Sequence, residues 1–191
     1  MNKESLASAI QDRENTIRLM PGAVENDILE VLKIFKRVIR QGGRILTFGN
    51  GGSAAQAEHL ATELMVRFSR NRNPISSICL STSGVHLTAH ANDFSFESVF
   101  SRQIEALASS SDVCVAFSTS GTSPNIVAAE KAAQDLGVPF LLFTGSSESI
   151  DVVFSKSLVV KVPSQVTAII QEMHLVLLHI ICEEIDEILE S

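Results

Sequence analysis

Two pairs of side chains in this 191-residue chain are spaced for chemistry. His59 and Glu63 stand at i and i+4 of a helical pattern, which places an imidazole and a carboxylate on one face. Gln171 and His179 lie eight residues apart in the last helical stretch, about two turns. An imidazole beside a carboxylate can move protons or hold a metal, although solvated helix faces carry such neighbours too. His179 stands out because it interrupts the apolar run 175–182, and a buried imidazole needs a hydrogen bond or a metal. The plain alternative is a satisfied core histidine. His86, His90 and His174 carry no comparable signal.

Two loops could hold a ligand near these groups. The apolar run 44–48 leads into Gly49-Asn50-Gly51-Gly52-Ser53-Ala54, and a helix follows. Gly49, Gly51 and Ala54 satisfy a dinucleotide fingerprint, but that reading needs an acidic residue about 20 positions on. Residues 69–85 contain neither Asp nor Glu, so a nicotinamide or flavin is rejected. No Gly-Lys-Ser/Thr follows, so the loop is not a nucleotide P-loop either. What remains is a strand-to-helix turn whose backbone N–H groups suit ligand oxygens, or a tight turn without a ligand. The second loop is Ser118-Thr119-Ser120-Gly121-Thr122-Ser123, before Pro124-Asn125 and a helix. Its hydroxyls and the helix N-terminus suit a monophosphate that is held and released. Helix capping needs only one such residue.

The elements that must position these groups alternate. Strands are expected at 44–48, 76–81, 112–118, 139–144 and 157–162. Helices are expected between them at 53–68, 84–91, 94–108, 124–136 and 147–154. Buried strands alternating with helices predict an α/β protein, three layers α/β/α around a five-stranded parallel sheet. Two N-terminal helices, 2–20 and 24–41, are expected to part at Pro21-Gly22, and the second carries the stripe Ile28, Val31, Leu32, Phe35, Val38. We read one domain over 1–191: N-terminal helices in 1–41, an α/β core in 44–163 and a C-terminal helix in 166–190. The last helix is apolar on every side over 175–182, which predicts burial all round, by a neighbouring subunit or as a core helix. Together with the first two helices it suits a bundle between subunits.

Composition narrows the function. Apolar residues make up 45% and charged residues 19%, a globular balance. A net charge of −7 argues against nucleic acid or an anionic membrane as partner. Residues 1–20 lack the apolar core of a signal peptide, and no stretch is long enough to span a bilayer. Cys79, Cys114 and Cys182 form no CxxC and read as buried free thiols of a reducing compartment. The expected location is the cytoplasm.

The motifs together resemble the bacterial phosphoheptose isomerases, which are built on the SIS (sugar isomerase) domain with a flavodoxin-like sheet. The likeness covers roughly residues 30–185. It rests on Gly49-Asn50-Gly51-Gly52-Ser53 with His59 and Glu63, on Asn92-Asp93-Phe94 with Phe100-Ser101-Arg102-Gln103, on Ser118-Thr119-Ser120-Gly121 with Ser123, and on Gln171-Glu172-Met173-His174 with His179. The resemblance implies conversion of sedoheptulose 7-phosphate to a glycero-manno-heptose 7-phosphate for lipopolysaccharide or capsule. It also implies a homotetramer with active sites between subunits and one zinc ion per subunit. By motif the metal ligands are His59, Glu63, Gln171 and His179. The phosphate rests on Ser118, Thr119, Ser120 and Ser123, and Asn50, Gly51, Gly52, Ser53, Asn92 and Asp93 line the sugar, with Gln171. Two departures bear on the sugar and the phosphate grip. Thr167-Ala168-Ile169-Ile170-Gln171 lacks the family's usual arginine, and Ser146-Ser147-Glu148 replaces a Lys and paired glycines.

For aldose–ketose isomerisation the expected base is Glu63, with His179 serving the sugar oxygens and zinc as Lewis acid. Eight residues of helix rise about 12 Å, so Gln171 and His179 of one chain do not readily meet. The expectation is therefore a pocket shared by two chains, or a loose metal shell. Rival readings are a non-enzymatic SIS tetramer that binds the replication initiator, an isomerase of another sugar phosphate, and a sugar-phosphate sensor. The first lacks the family's acid and last histidine, and both are present here.

Overall fold

The computed structural model describes residues 3–147 and 150–190. The chain opens with one long helix, α1 (Lys3–Arg40), and then alternates β1 (Ile45–Gly49), α2 (Gly52–Met65), β2 (Ser77–Cys79), α3 (Gly84–Asp93), α4 (Ser101–Leu107), β3 (Val113–Phe117), α5 (Pro124–Asp135), β4 (Phe140–Thr144), α6 (Ile150–Val153), β5 (Leu158–Lys161) and α7 (Thr167–Glu190). Among the described residues five strands form one parallel sheet in the order β2-β1-β3-β4-β5. β1, β3 and β4 are buried on both faces, as crossover helices on the two sides require. One apolar core joins α1, α2 and α7 to the sheet; the other packs α4, α5 and Phe154 on the opposite face.

The expected break at Pro21 does not occur. Pro21 lies inside α1, and the buried stripe Met20, Val24, Ile28, Val31, Leu32, Phe35 and Val38 runs past it at unbroken helical spacing. Proline costs the helix one backbone hydrogen bond, and continuous packing against α7 and β5 offsets that loss. The expected helix 94–108 is instead a 3-10 turn at Phe96–Ser98 followed by α4. Ser95 Oγ ends the preceding segment by accepting from Glu97 N–H at 3.1 Å. α2 stops at Met65 rather than 68. Of the helix expected over 147–154, α6 covers Ile150–Val153, while Glu148 and Ser149 lie outside the described residues.

Asp112, 1% exposed, anchors the entry of the two central strands. Its carboxylate accepts from Arg44 N–H at 2.7 Å and Ser109 N–H at 2.8 Å, with Arg44 Nη2 at 3.0 Å. Burial pushes its pKa up, but these donors outweigh burial and hold it below the ordinary carboxylate value.

The helix α7 is less enclosed than its composition suggests. Leu177, Leu178, Ile181 and Cys182 are buried, but Leu175, Val176 and Ile180 are 36%, 40% and 41% exposed in a single chain. No helix among the described residues is long and apolar enough to cross a membrane. All three cysteines are free, and burial raises the thiols of Cys114 and Cys182 to about 12.

Candidate active site

In an open parallel sheet, ligands bind beyond the carboxyl ends of the strands where the order reverses. Here β1 is followed by β2 on one side and β3 on the other, so the reversal lies between β1 and β3. The glycine loop leaves β1 at this point, and the Ser/Thr loop leaves β3.

The glycine loop is built close to its neighbours. A Cβ on Gly49 would stand 2.8 Å from Phe117 O and from Ser53 O, and Gly51 has a φ of +53°. Both positions therefore demand glycine. Ser53 is buried within the first turn of α2. The Asn50 side chain is engaged by Asn125: each amide donates to the other's carbonyl oxygen, at 2.9 and 2.8 Å. Asn125 is 2% exposed at the start of α5, and sequence reading did not single it out.

The Ser/Thr loop uses two of its hydroxyls internally. Ser118 Oγ accepts from Gly121 N–H and Ser120 Oγ from Thr122 N–H, each at 3.2 Å. Ser123 occupies the N-cap of α5 without a side-chain capping bond. Thr119, Ser120 and Thr122 face Gly145, Ser146, Ser147, Ser164 and Gln165 across an open cleft. No lysine or arginine is among these lining residues, so a bound anion would meet hydroxyls, backbone donors and a helix N-terminus.

The histidine pair and the acid come together within one chain. α2 and α7 lie side by side, and Gln56 Nε2 on α2 donates to Gln171 O on α7 at 2.8 Å. One face further along, His59 Nε2 is 3.1 Å from Glu63 Oε1 and 3.2 Å from His179 Nε2. One ligand atom from each of the three residues lies within 4.8 Å of the others. Their side chains are partly exposed, and Phe68 packs its ring 5.4 Å from that of His179. Two imidazole nitrogens and a carboxylate oxygen gathered this closely are a donor set compatible with zinc.

Gln171 stands elsewhere, two turns before His179 on α7. Its amide lies over Gly52, where an added Cβ would come within 2.5 Å of Nε2. It thus borders the glycine loop. Asn92 and Asp93, at the end of α3, are exposed and bonded to each other at 2.9 Å.

His174, passed over in the sequence, is the histidine that α7 buries completely. It is 0% exposed, with its ring edge-on to Phe117 and Phe143 and neither ring nitrogen hydrogen-bonded. Burial drives its pKa down to about 4. The missed signal was phase: Ile170, His174, Leu177, Leu178 and Ile181 form one apolar face, and His179 falls beside it.

Comparison with known proteins adds the following. Residues 14–145 match the SIS domain family. The chain is 40% identical over 183 residues to the phosphoheptose isomerase of Paramagnetospirillum magneticum, covering 96% of this chain and 95% of that one. It is 41% identical over 160 residues to the phosphoheptose isomerase of Aquifex aeolicus, with coverage of 84% and 83%. The solved phosphoheptose isomerase of Neisseria gonorrhoeae superposes with a TM-score of 0.89 at 32% identity, over 97% of this chain and 98% of that one. The one from Francisella tularensis gives 0.92 at 28% identity, over 98% and 100%.

Proposed function

The chain belongs to the phosphoheptose isomerases, which are sugar-phosphate isomerases, and from that premise we propose that it converts sedoheptulose 7-phosphate to D-glycero-D-manno-heptose 7-phosphate in heptose biosynthesis. The observation that carries the residue assignment is the convergence of Glu63 and His179 on His59, 120 residues apart along the chain for the two histidines. Glu63 takes a proton from C1 of the ketose, leaving a cis-enediolate, and that proton is returned to C2 to give the aldose. His179 moves the hydroxyl proton between O1 and O2, so no atom is gained or lost. Thr119, Ser120 and Ser123, with Ser118 shaping the loop, hold the phosphate. Asn50, Gly51, Gly52, Ser53 and Gln171 border the sugar, and Asn92 and Asp93 approach it from α3.

His59, Glu63 and His179 would hold zinc, which when bound supplies positive charge beside the developing enediolate. If Gln171 ligates as well, it does so from a neighbouring chain, because α7 separates it from its own His179 by about 12 Å. The expected result is turnover of sedoheptulose 7-phosphate by the purified zinc-supplied protein, lost on chelation and restored by zinc. Absence of turnover with zinc present would overturn the assignment of substrate.

We further propose a homotetramer in the cytoplasm, as three free thiols suit a reducing compartment. Ile17 and Leu29 on α1 and Val176 and Ile180 on α7 line one apolar groove and are 40–51% exposed in a single chain. Four helices of this kind cover each other when subunits pair. Light scattering should give four times the chain mass, and Leu29→Asp should shift it to smaller species. A monomeric wild type would sink this reading.

A further inference from the structure

The segment between α2 and β2 is tied down by an ion pair that is nearly absent from solvent. Arg72 is 8% exposed at its side chain and Asp186 1%, and Arg72 Nε donates to Asp186 Oδ1 at 2.7 Å. The other carboxylate oxygen accepts from Ser69 N–H at 3.0 Å, Arg70 N–H at 3.1 Å and Ser69 Oγ at 3.2 Å. The remaining arms of the guanidinium reach the end of α2. Nη2 donates to Glu63 O and Nη1 to Leu64 O, each at 2.8 Å, and Nη1 also reaches Asn73 O at 3.2 Å.

Glu63 sits in the last turn of α2, which ends at Met65. The final carbonyls of a helix have no partner inside it, and such ends fray. Here two of them, one belonging to the candidate base itself, are held by a cation at the negative end of the helix. The other end of the device sits on α7, seven residues beyond His179. Phe68, directly before the Asp186-bound backbone, packs on the His179 ring. A clamp that only closed the loop could bind any backbone; this one binds Glu63 and supports the ring that packs on His179.

We propose that the Arg72–Asp186 pair, with Phe68, is a positioning device that holds Glu63 and His179 in register for proton transfer. This rests on the reading that those two residues carry the transfers. Arg72→Lys keeps the charge but loses the planar fork that reaches the carboxylate and both carbonyls together. A displacement of about 1 Å at a reacting group can cost about 10²-fold in rate. The expected result for Arg72→Lys is therefore a kcat lower by about 10²-fold with KM unchanged. With ketose phosphate deuterated at C1, the isotope effect on kcat should rise, because proton removal becomes slower than every other step.

Asp112→Asn is the control. It breaks another ion pair with a buried carboxylate, Arg44–Asp112, at the opposite end of the strands, and should lower the melting temperature without changing kcat or the isotope effect. Should Arg72→Lys fail to fold, Phe68→Leu takes its place: it severs the ring contact, leaves the ion pair, and is expected to lower kcat and raise the isotope effect. A folded Arg72→Lys, or Phe68→Leu in its place, with wild-type kcat overturns the proposal, as does an equal kcat loss in Asp112→Asn. Glu63→Gln separates the two levels. If it is inactive while Arg72→Lys is fully active, only the positioning fails; if it keeps full activity, the base assignment fails and the positioning falls with it.

Discussion

Glu63→Gln should lower kcat by about 10²- to 10⁴-fold, the range that a positioned general base contributes. The amide has the shape of the carboxylate and can still meet His59 Nε2, now 3.1 Å from Oε1, so the fold and the packing of α2 on α7 should persist. What it lacks is a lone pair basic enough to take a carbon-bound proton. KM should change little, because the cleft at Thr119, Ser120 and Thr122, which we propose holds the phosphate, is built from other elements. Exchange of the substrate C1 proton with deuterated solvent should slow in parallel with turnover. Zinc content must be measured with the rates, since Glu63 also belongs to the metal-binding group. Restoration of full activity by excess zinc would show that Glu63 matters as a ligand and not as the base.

The second large effect concerns stability in acid. His174 is fully enclosed, and its pKa is pushed down to about 4 from 6.5. Below pH 6.5 the unfolded chain takes up a proton at this residue while the folded chain does not, until about pH 4. The unfolded state then binds more protons, so stability falls as pH falls through this window. The whole shift corresponds to a loss on the order of 3 kcal/mol. Denaturant titrations at a series of pH values should show this slope in wild type and a flattened one in His174→Leu, which keeps an apolar side chain against Phe117 and Phe143. An unchanged slope in the variant would show that other groups carry the acid response. Asp112 and Asp186 act in a lower window. Their pKa values lie below 3.8, so their contribution is present above that value and is lost as pH falls through the folded pKa.

Much of the site could be read from local sequence because its determinants are local. The glycines after β1 and the hydroxyls after β3 sit where strands end, and the alternation of apolar runs and helices placed both loops on one edge of a parallel sheet. His59 and Glu63 share a helix face by spacing alone. Other features depend on partners far along the chain. Arg72 and Asp186 are 114 residues apart, and nothing near either residue in the sequence indicates that they meet. Asn125 looks like an ordinary helix-start residue until Asn50, 75 positions earlier, is placed opposite it. Pro21 is a reliable local stop signal that was overruled by a stripe of packing on both sides of it. The two histidines of α7 were weighed by the apolarity of their neighbours, whereas the angle around the helix decides: His174 faces the sheet and His179 faces α2.

The paired amides of Asn50 and Asn125 carry one more consequence. They join turns from two separate strand–helix units into a single rim, so neither turn can drift without dragging the other. On the proposed function, a sugar phosphate would meet a mouth whose two lips are already latched, and little of its binding free energy would go into ordering them. The same latch makes the rim vulnerable as a whole: a change that loosens the turn after β3 is passed on to the turn after β1.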